Sequence, residues 1–435
     1  MESDGRQGTA GPGPAAGRAA GGPKPSEATA FRSGPTEGDS AKACEAPSVP
    51  GEGLRPAPPL DTEAAVPPSP PGRSGALAPS VDDPAAPAGD RRGIRVQALF
   101  VGLGAAAVAV SLAALAWGAA DLSVGRVAQI LAHAAGWPGV PAPDAWEETI
   151  VVHLRLPRLI LGLLVGAGLG VAGGMMQGIF RNPLADPSLI GVSSGAALGA
   201  ATMIVAGNRL LPELPGVVGG LLVPAAAFTG GLLATIFVHR LAVRNRRTGI
   251  TTMLLAGIAI NALASAGTGL WTFVADDAEL RDLTFWTLGS LAGAQWGGLA
   301  VVGGVIATAG LIGIRTAPAL DAMLLGEAEA HHVGIDAEKI RRRTIACTAA
   351  MVGSAVALSG LIFFVGLVVP HIIRLAMGPG HRVLLPAAAM LGGTLLVAAD
   401  VAARLVVAPA ELPIGIVTAL VGAPFFLALV RRGTE

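Results

Sequence analysis

Residues 156–179 read LPRLILGLLVGAGLGVAGGMMQGI. One charge, Arg158, interrupts 24 residues, and about 20 mostly apolar residues are enough for a helix to cross a bilayer. The stretch therefore reads as a membrane span. Its glycines and alanines suit helix contacts in lipid, where association rests on close packing rather than on hydrophobic burial. Working outward, further apolar stretches fall at roughly 97–119, 192–207, 216–239, 250–274, 296–314, 344–358, 361–377, 384–405 and 413–430, which makes ten spans in all. Several are short or broken by Pro and Gly, as is tolerated at bilayer depth where a segment is buried in protein or lines a cavity. Composition points the same way. The 435 residues are 52% hydrophobic and 14% charged, against about 25% charged in soluble domains. The expected fold class is an all-α integral membrane protein with about ten transmembrane helices, residues 91–435.

Residues 1–90 have a different character. They hold 17 Pro, 14 Gly and one aromatic residue, Phe31, with no apolar periodicity. Such a segment cannot bury enough apolar surface to offset its chain entropy, so a disordered cytoplasmic extension is expected. It lacks the basic start and apolar stretch of a secretory signal. The formal net charge of zero conceals a division, with −5 before residue 91 and +5 after it. A nucleic-acid binder driven by bulk positive charge is excluded. So is a disulfide scaffold, because Cys44 and Cys347 are the only cysteines.

The positive-inside rule sets an orientation. With a cytoplasmic N-terminus and ten alternating helices, 17 Lys and Arg fall inside and six outside. The six are Arg126, Arg155, Arg158, Arg209, Arg281 and Arg404. All six tryptophans fall at outer ends or in outer loops. The longest inner loop, 315–343, reads as two short amphipathic helices broken at Gly334. A loop of that length is usually functional, so it is a candidate docking surface for a soluble partner, the other reading being a solvated connector.

Enzymatic motifs are missing. No Gly-Lys pair occurs, so there is no Walker A loop, and neither H-E-x-x-H nor C-x-x-C is present. His331-His332 would face different ways on a helix, and no metal site is expected. Within the spans, Asp400 and Arg404 are four apart and share a helix face, either as a neutralised pair or with Arg404 offered to a partner. Arg155 and Arg158, flanking Leu156-Pro157, share a face on the side that should be poor in positive charge. They fit either an acidic external partner or lipid phosphate.

Seven blocks then carry a resemblance. They are FRNPLADPSLIGVSSGAALGA (Phe180–Ala200), LRDLTFWTLGSLAG (Leu280–Gly293), MLLGEAEAHHVGI (Met323–Ile335), FVGLVVPHIIRL (Phe364–Leu375), GHRVLLP (Gly380–Pro386), ADVAAR (Ala399–Arg404) and ELPIGIVTALVGAPFF (Glu411–Phe426). In order and spacing the chain from about 95 to 432 resembles the FecCD-type permease subunits of ATP-binding cassette importers for iron–siderophore complexes, haem and vitamin B12. Residues 1–90 have no counterpart.

The resemblance implies a type II importer permease that works as a homodimer in the bacterial inner membrane, with both termini cytoplasmic. It implies two separate ATPase subunits that use ATP and Mg, a substrate-binding protein outside, and no cofactor bound by this chain. By residue match, Arg155, Arg158 and Arg404 correspond to arginines that dock the binding protein. Leu324, Gly326, Glu327, Ala330 and Gly334 correspond to the ATPase coupling contact. Asn182 and Leu184 correspond to one cytoplasmic gate, and Ile250 and Thr251 to the other. The vitamin B12 permease carries small hydroxylated residues at both positions of that second gate. Arg181–Pro187 and Leu280–Trp286 look most like haem permeases, with ferric siderophore and then vitamin B12 permeases behind. Composition by itself also admits an ion-gradient-driven secondary transporter, which would need intramembrane carboxylates or histidines as coupling sites. Asp400 is the one carboxylate clearly inside a span.

Overall fold

In hydrocarbon an unpaired amide has no water to bond, so each apolar stretch must close its own hydrogen bonds as a helix. The computed structural model describes residues 88–118, 120–207, 216–244, 247–408 and 410–432, and every stretch expected to span is helical there. In chain order the helices are α1 (Ala88–Ala116), α2 (Val124–Ala134), α3 (Ala145–Phe180), α4 (Val192–Gly207), α5 (Gly216–Ala242), α6 (Ile250–Val274) and α7 (Asp277–Leu288). They continue with α8 (Trp296–Arg315), α9 (Ala317–Leu325), α10 (Glu327–His332), α11 (Ala337–Ser359), α12 (Val365–Met377), α13 (His381–Leu405) and α14 (Ile414–Arg432). A two-residue antiparallel pair, Val243–Arg244 with Arg247–Thr248, joins α5 to α6.

Six of these helices, α1, α3, α5, α6, α8 and α13, contain stretches long and apolar enough to cross a membrane, and α4, α12 and α14 are shorter apolar helices. The tenth expected span is α11, whose first two turns carry Glu338, Lys339, Arg341, Arg342 and Arg343 ahead of an apolar remainder. The extension expected over 1–90 lies outside the described residues except for its last three, which already belong to α1.

The bundle is organised around α3. Of its most apolar window, 78% is buried, against 11% for α1, so α3 is the axis and α1 the rim. Glycine is what allows this. A Cβ on Gly166 would strike the Gly392 carbonyl, one on Gly170 the Ala388 carbonyl, and one on Gly173 the Gly366 carbonyl. α3 thus meets α13 and the start of α12 backbone to backbone, as lipid-embedded helices require for tight packing. The pair α4–α5 is built in the same way, Gly195 against Gly230 and Gly199 against the Ala226 carbonyl.

Gly173→Val is expected to destabilise the folded bundle by about 1–3 kcal/mol or more through overpacking, seen as a lower melting temperature in detergent. Gly304→Ala, where a Cβ meets open space, should show no loss. Equal melting of Gly173→Val and wild type would refute the packing account.

Candidate functional site

The bundle gathers its polar residues at two ends. At the first, α1 stops at Ala116 and leaves carbonyls without intrahelical partners. Arg155 supplies donors to them. Its Nη1 donates to the carbonyls of Leu115 at 2.7 Å and Ala116 at 3.0 Å, and its Nη2 to Ala120. Arg404 adds bonds of 3.3 Å to the carbonyls of Ala114 and Trp117. Two guanidinium groups at a helix C-terminus also meet the negative end of its dipole. Gly118 has no side chain to obstruct them, and a Cβ there would press on the Arg155 guanidinium.

Arg158 and Asp400 form the second layer of this end. Arg158 donates through Nε and Nη2 to Asp400 at 2.8–3.1 Å and through Nη1 to Glu411 at 2.9 Å. The expected pair of Asp400 and Arg404 is present as an ion pair at 3.2 Å, but Asp400 is shared, and Arg158 holds it more closely. Arg155 is 8% exposed and gives its donors to the end of α1. The Arg158 and Arg404 side chains are little more open, 13% and 9% exposed, and Glu411 is exposed beside Arg158.

At the opposite end, the connection after α3 turns through Arg181 in the left-handed region, φ 50°. The Asn182 Oδ1 accepts from the Leu184 amide at 2.9 Å, the local turn that Asn favours. Both Asn182 and Leu184 are exposed. Asp186 then starts the 3₁₀ turn Pro187–Ile190 by accepting from the Ser188 amide at 2.8 Å. That turn leans on α6. Gly257 lets the Leu189 carbonyl approach, and Asn261 donates to the Ser188 carbonyl at 3.3 Å while accepting from the Ser194 hydroxyl. The turn that follows Asn182 and Leu184 therefore touches α6 at Gly257 and Asn261, two to three turns beyond Ile250 and Thr251. Ile250 is half-buried and Thr251 exposed.

The loop 315–343 folds as α9 and α10, two short helices as expected, with the break between them at Gly326 (φ 142°), while Gly334 (φ 81°) ends α10. Glu327 is exposed and Leu324 half-buried. Ala330 requires a correction: it is fully buried, 0% exposed, and packs the loop from within rather than offering a contact. The apolar surface is presented instead by Leu325 and Val333, 78% and 69% exposed. Two ties anchor the loop. Asp321 of α9 accepts from the His381 amide at 2.5 Å and lies 2.9 Å from its Nδ1, capping α13. Glu338 of α11 accepts from the Thr248 amide at 3.0 Å, the Thr248 hydroxyl at 2.7 Å and Arg341 Nη1 at 3.0 Å. Burial alone would push the Glu338 carboxyl up, but the Thr248 hydrogen bonds and the Arg341 charge outweigh it and hold the pKa below the ordinary 4.5.

Thr248, Asn261, Asp321, Glu338, His381 and Glu411 were not singled out from sequence. Asn261 alone carried a signal there, a polar amide within an apolar span. An apolar cavity of about 860 Å³ between α5, α8 and the end of α11, lined by Phe228, Val301 and Leu358 among others, includes none of the expected site residues.

Comparison with known proteins places these features in context. The profile of the FecCD transport family matches residues 106–432. The chain is 44% identical over 289 residues to the hemin transport system permease protein HmuU of Yersinia pestis, covering 66% of this chain and 84% of that one. It is 42% identical over 293 residues to the cobalamin import system permease protein BtuC of Halobacterium salinarum, 67% of this chain and 75% of that one. A solved metal-chelate type ABC transporter in an inward-facing conformation superposes with a TM-score of 0.66 at 30% identity, over 77% of this chain and 99% of its own.

Asp400→Ala is expected to strand buried guanidinium groups and cost about 3–5 kcal/mol, whereas Glu411→Gln at the exposed edge should cost about 0–1 kcal/mol. Urea or thermal unfolding of the two variants gives the ranking, and equal losses would contradict it. For Glu338, whose pKa is lowered by folding, the stabilisation is complete above the ordinary value of 4.5 and is lost as pH falls through the lowered one. The melting-temperature gap between wild type and Glu338→Gln should therefore be constant near neutrality and close in acid. A gap that stays constant into the acid range would remove the assignment.

Proposed function

The chain belongs to the FecCD transport family, and from that premise we propose that it carries haem inward across the bacterial inner membrane. It is a multi-pass membrane protein, the permease of an ATP-binding cassette importer, and its family works with ATPase and substrate-binding partners. Two copies of the chain line the pathway between them, embedded in lipid, with both termini in the cytoplasm. Hydrolysis of ATP with Mg belongs to the two ATPase subunits, and this chain binds no cofactor of its own. Similarity to the hemin permease supports haem as cargo. Nearly equal identity to a cobalamin permease makes vitamin B12 the second reading, and a ferric siderophore belongs to the same chelate class.

The observation that carries the reading is the separation of the two ends. The loop with Leu324, Gly326, Glu327 and Gly334 faces the ATPase, and the exposed Leu325 and Val333 widen that contact. Asn182, Leu184, Ile250 and Thr251 form the cytoplasmic gate, and the turn that follows Leu184 is tied to the body of α6 by Asn261 and Ser188. At the far end Arg158 and Arg404 meet acidic groups of the binding protein, while Arg155 supports them from behind by holding the end of α1. Charge pairs of this kind orient docking and speed encounter more than they add affinity. In the cycle, ATP binding draws the ATPases together, the loop moves, and the gate opens alternately with the outer face. An ion-gradient carrier would need a free intramembrane carboxylate, whereas Asp400 is held by both Arg158 and Arg404.

Proteoliposomes containing the chain, its ATPase and its binding protein should accumulate haemin only with ATP, and cyanocobalamin much more slowly. Arg158→Gln should weaken binding-protein association by about tenfold at low salt, with a shallower salt dependence. Uptake by the chain alone under an ion gradient would overturn the importer reading, and faster cyanocobalamin uptake would reassign the cargo.

A further inference from the structure

Glu338 is the second residue of α11, and its side chain is only 16% exposed. Three donors from two separate segments converge on it. The amide and hydroxyl of Thr248 reach both of its oxygens, and Arg341 Nη1 reaches one. Arg342 Nε stands 3.4 Å from the other. Arg341 is itself 4% exposed and gives its remaining Nη2 to Glu327 Oε1 at 2.5 Å. The result is an unbroken series, Glu327–Arg341–Glu338–Thr248. It begins at the first residue of α10 and ends two residues before α6. Thr248 is buried, 4% exposed, and is paired with Val243 at the end of α5. The next residue, Gly249, donates its amide to the Ala242 carbonyl at 3.0 Å.

A cluster of surface charges would contribute little and hold little. This one differs on two counts. Arg341 and Thr248 are buried and Glu338 lies largely covered between them, where charge-assisted hydrogen bonds are shorter and stronger and support one another. It also joins parts of the chain about 80 residues apart through one carboxylate, so a shift of α10 must carry Arg341 and Glu338 with it, break the Glu327–Arg341 pair, or break the bonds to Thr248. Leaving a buried arginine without its acceptor is costly, which favours movement as a unit.

We propose that Glu338 is a positioning residue that transmits displacement of α10 to the cytoplasmic start of α6, with Arg341 as the joint and Thr248 as the receiving point. The inference rests on the importer reading, in which α10 faces the ATPase and α6 begins at the gate. It assigns the connection between them, which neither segment supplies by itself.

The test uses wild type, Thr248→Val, Glu338→Gln and the double variant, each assembled with ATPase and binding protein in proteoliposomes. Haemin and cyanocobalamin are the probes, and the readout is cargo taken up per ATP hydrolysed. That ratio should fall about fivefold in Thr248→Val and about tenfold in Glu338→Gln. The double variant should match Glu338→Gln, because contacting residues acting through one link are not additive. An unchanged ratio, losses that multiply, or a fall in melting temperature with uptake and hydrolysis reduced in parallel would each overturn the proposal. If Glu338→Gln does not fold, Thr248→Val, which keeps every charge, decides. A second measurement needs no cargo. Spin labels at the exposed positions Ala328 and Thr251 should keep their separation on ATP binding in wild type and lose it in Glu338→Gln. If wild type takes up neither probe with ATP, the importer reading has failed, and the label distance still reports whether α10 and α6 move together. A distance that changes equally in wild type and Glu338→Gln would end the proposal.

Discussion

Lipid gives two apolar helices no hydrophobic reason to meet, so this bundle depends on how closely backbones can approach. The contact of α3 with α13 and α12 through Gly166, Gly170 and Gly173 is where that approach is closest. Each glycine places a carbonyl of the neighbouring helix where a side chain would otherwise stand. The rest follows in space. α13 carries Asp400 and Arg404 at one end and His381 at the other, and α3 carries Arg155 and Arg158 in its first half. Fixing α3 against α13 therefore assembles the arginine cluster, and it places His381 within reach of Asp321.

The charges show a second constraint. A buried guanidinium must have acceptors, and the two ends of the molecule find them differently. At the first end they are the last carbonyls of α1 for Arg155 and Arg404, and the carboxylates of Asp400 and Glu411 for Arg158. At the second they are two carboxylates on Arg341, Glu338 of its own helix and Glu327 of α10. The first arrangement braces the end of α1. The second connects segments separated in sequence, and it lies where the loop 315–343 meets the hairpin before α6.

Residues of the candidate site are marked in the sequence for different reasons. Gly326 and Gly334 are positions where the backbone needs positive φ, and motif spacing marked both. Asn182 is marked by its match to the family motif, and its turn hydrogen bond to Leu184 belongs to the structure. Arg155 stands out because its charge sits on the side that should lack it, but its partners on α1 lie some 40 residues earlier, and nothing local tells which carbonyls it meets. Ala330 is a small residue in a short amphipathic helix, which can face either way until the helix is docked.

Hydropathy along the chain is enough to mark the spans and their order, and motif spacing is enough to mark the family. These are local properties of hydropathy and spacing. What only the tertiary structure decided was which charges are spent internally and which remain accessible. Asp400 is shared by Arg158 and Arg404, Glu338 reaches Thr248 about 90 positions away, and Leu325 rather than Ala330 faces outward. Those outcomes depend on which atoms backbone packing brings within hydrogen-bond distance, and no short stretch of the chain contains that information.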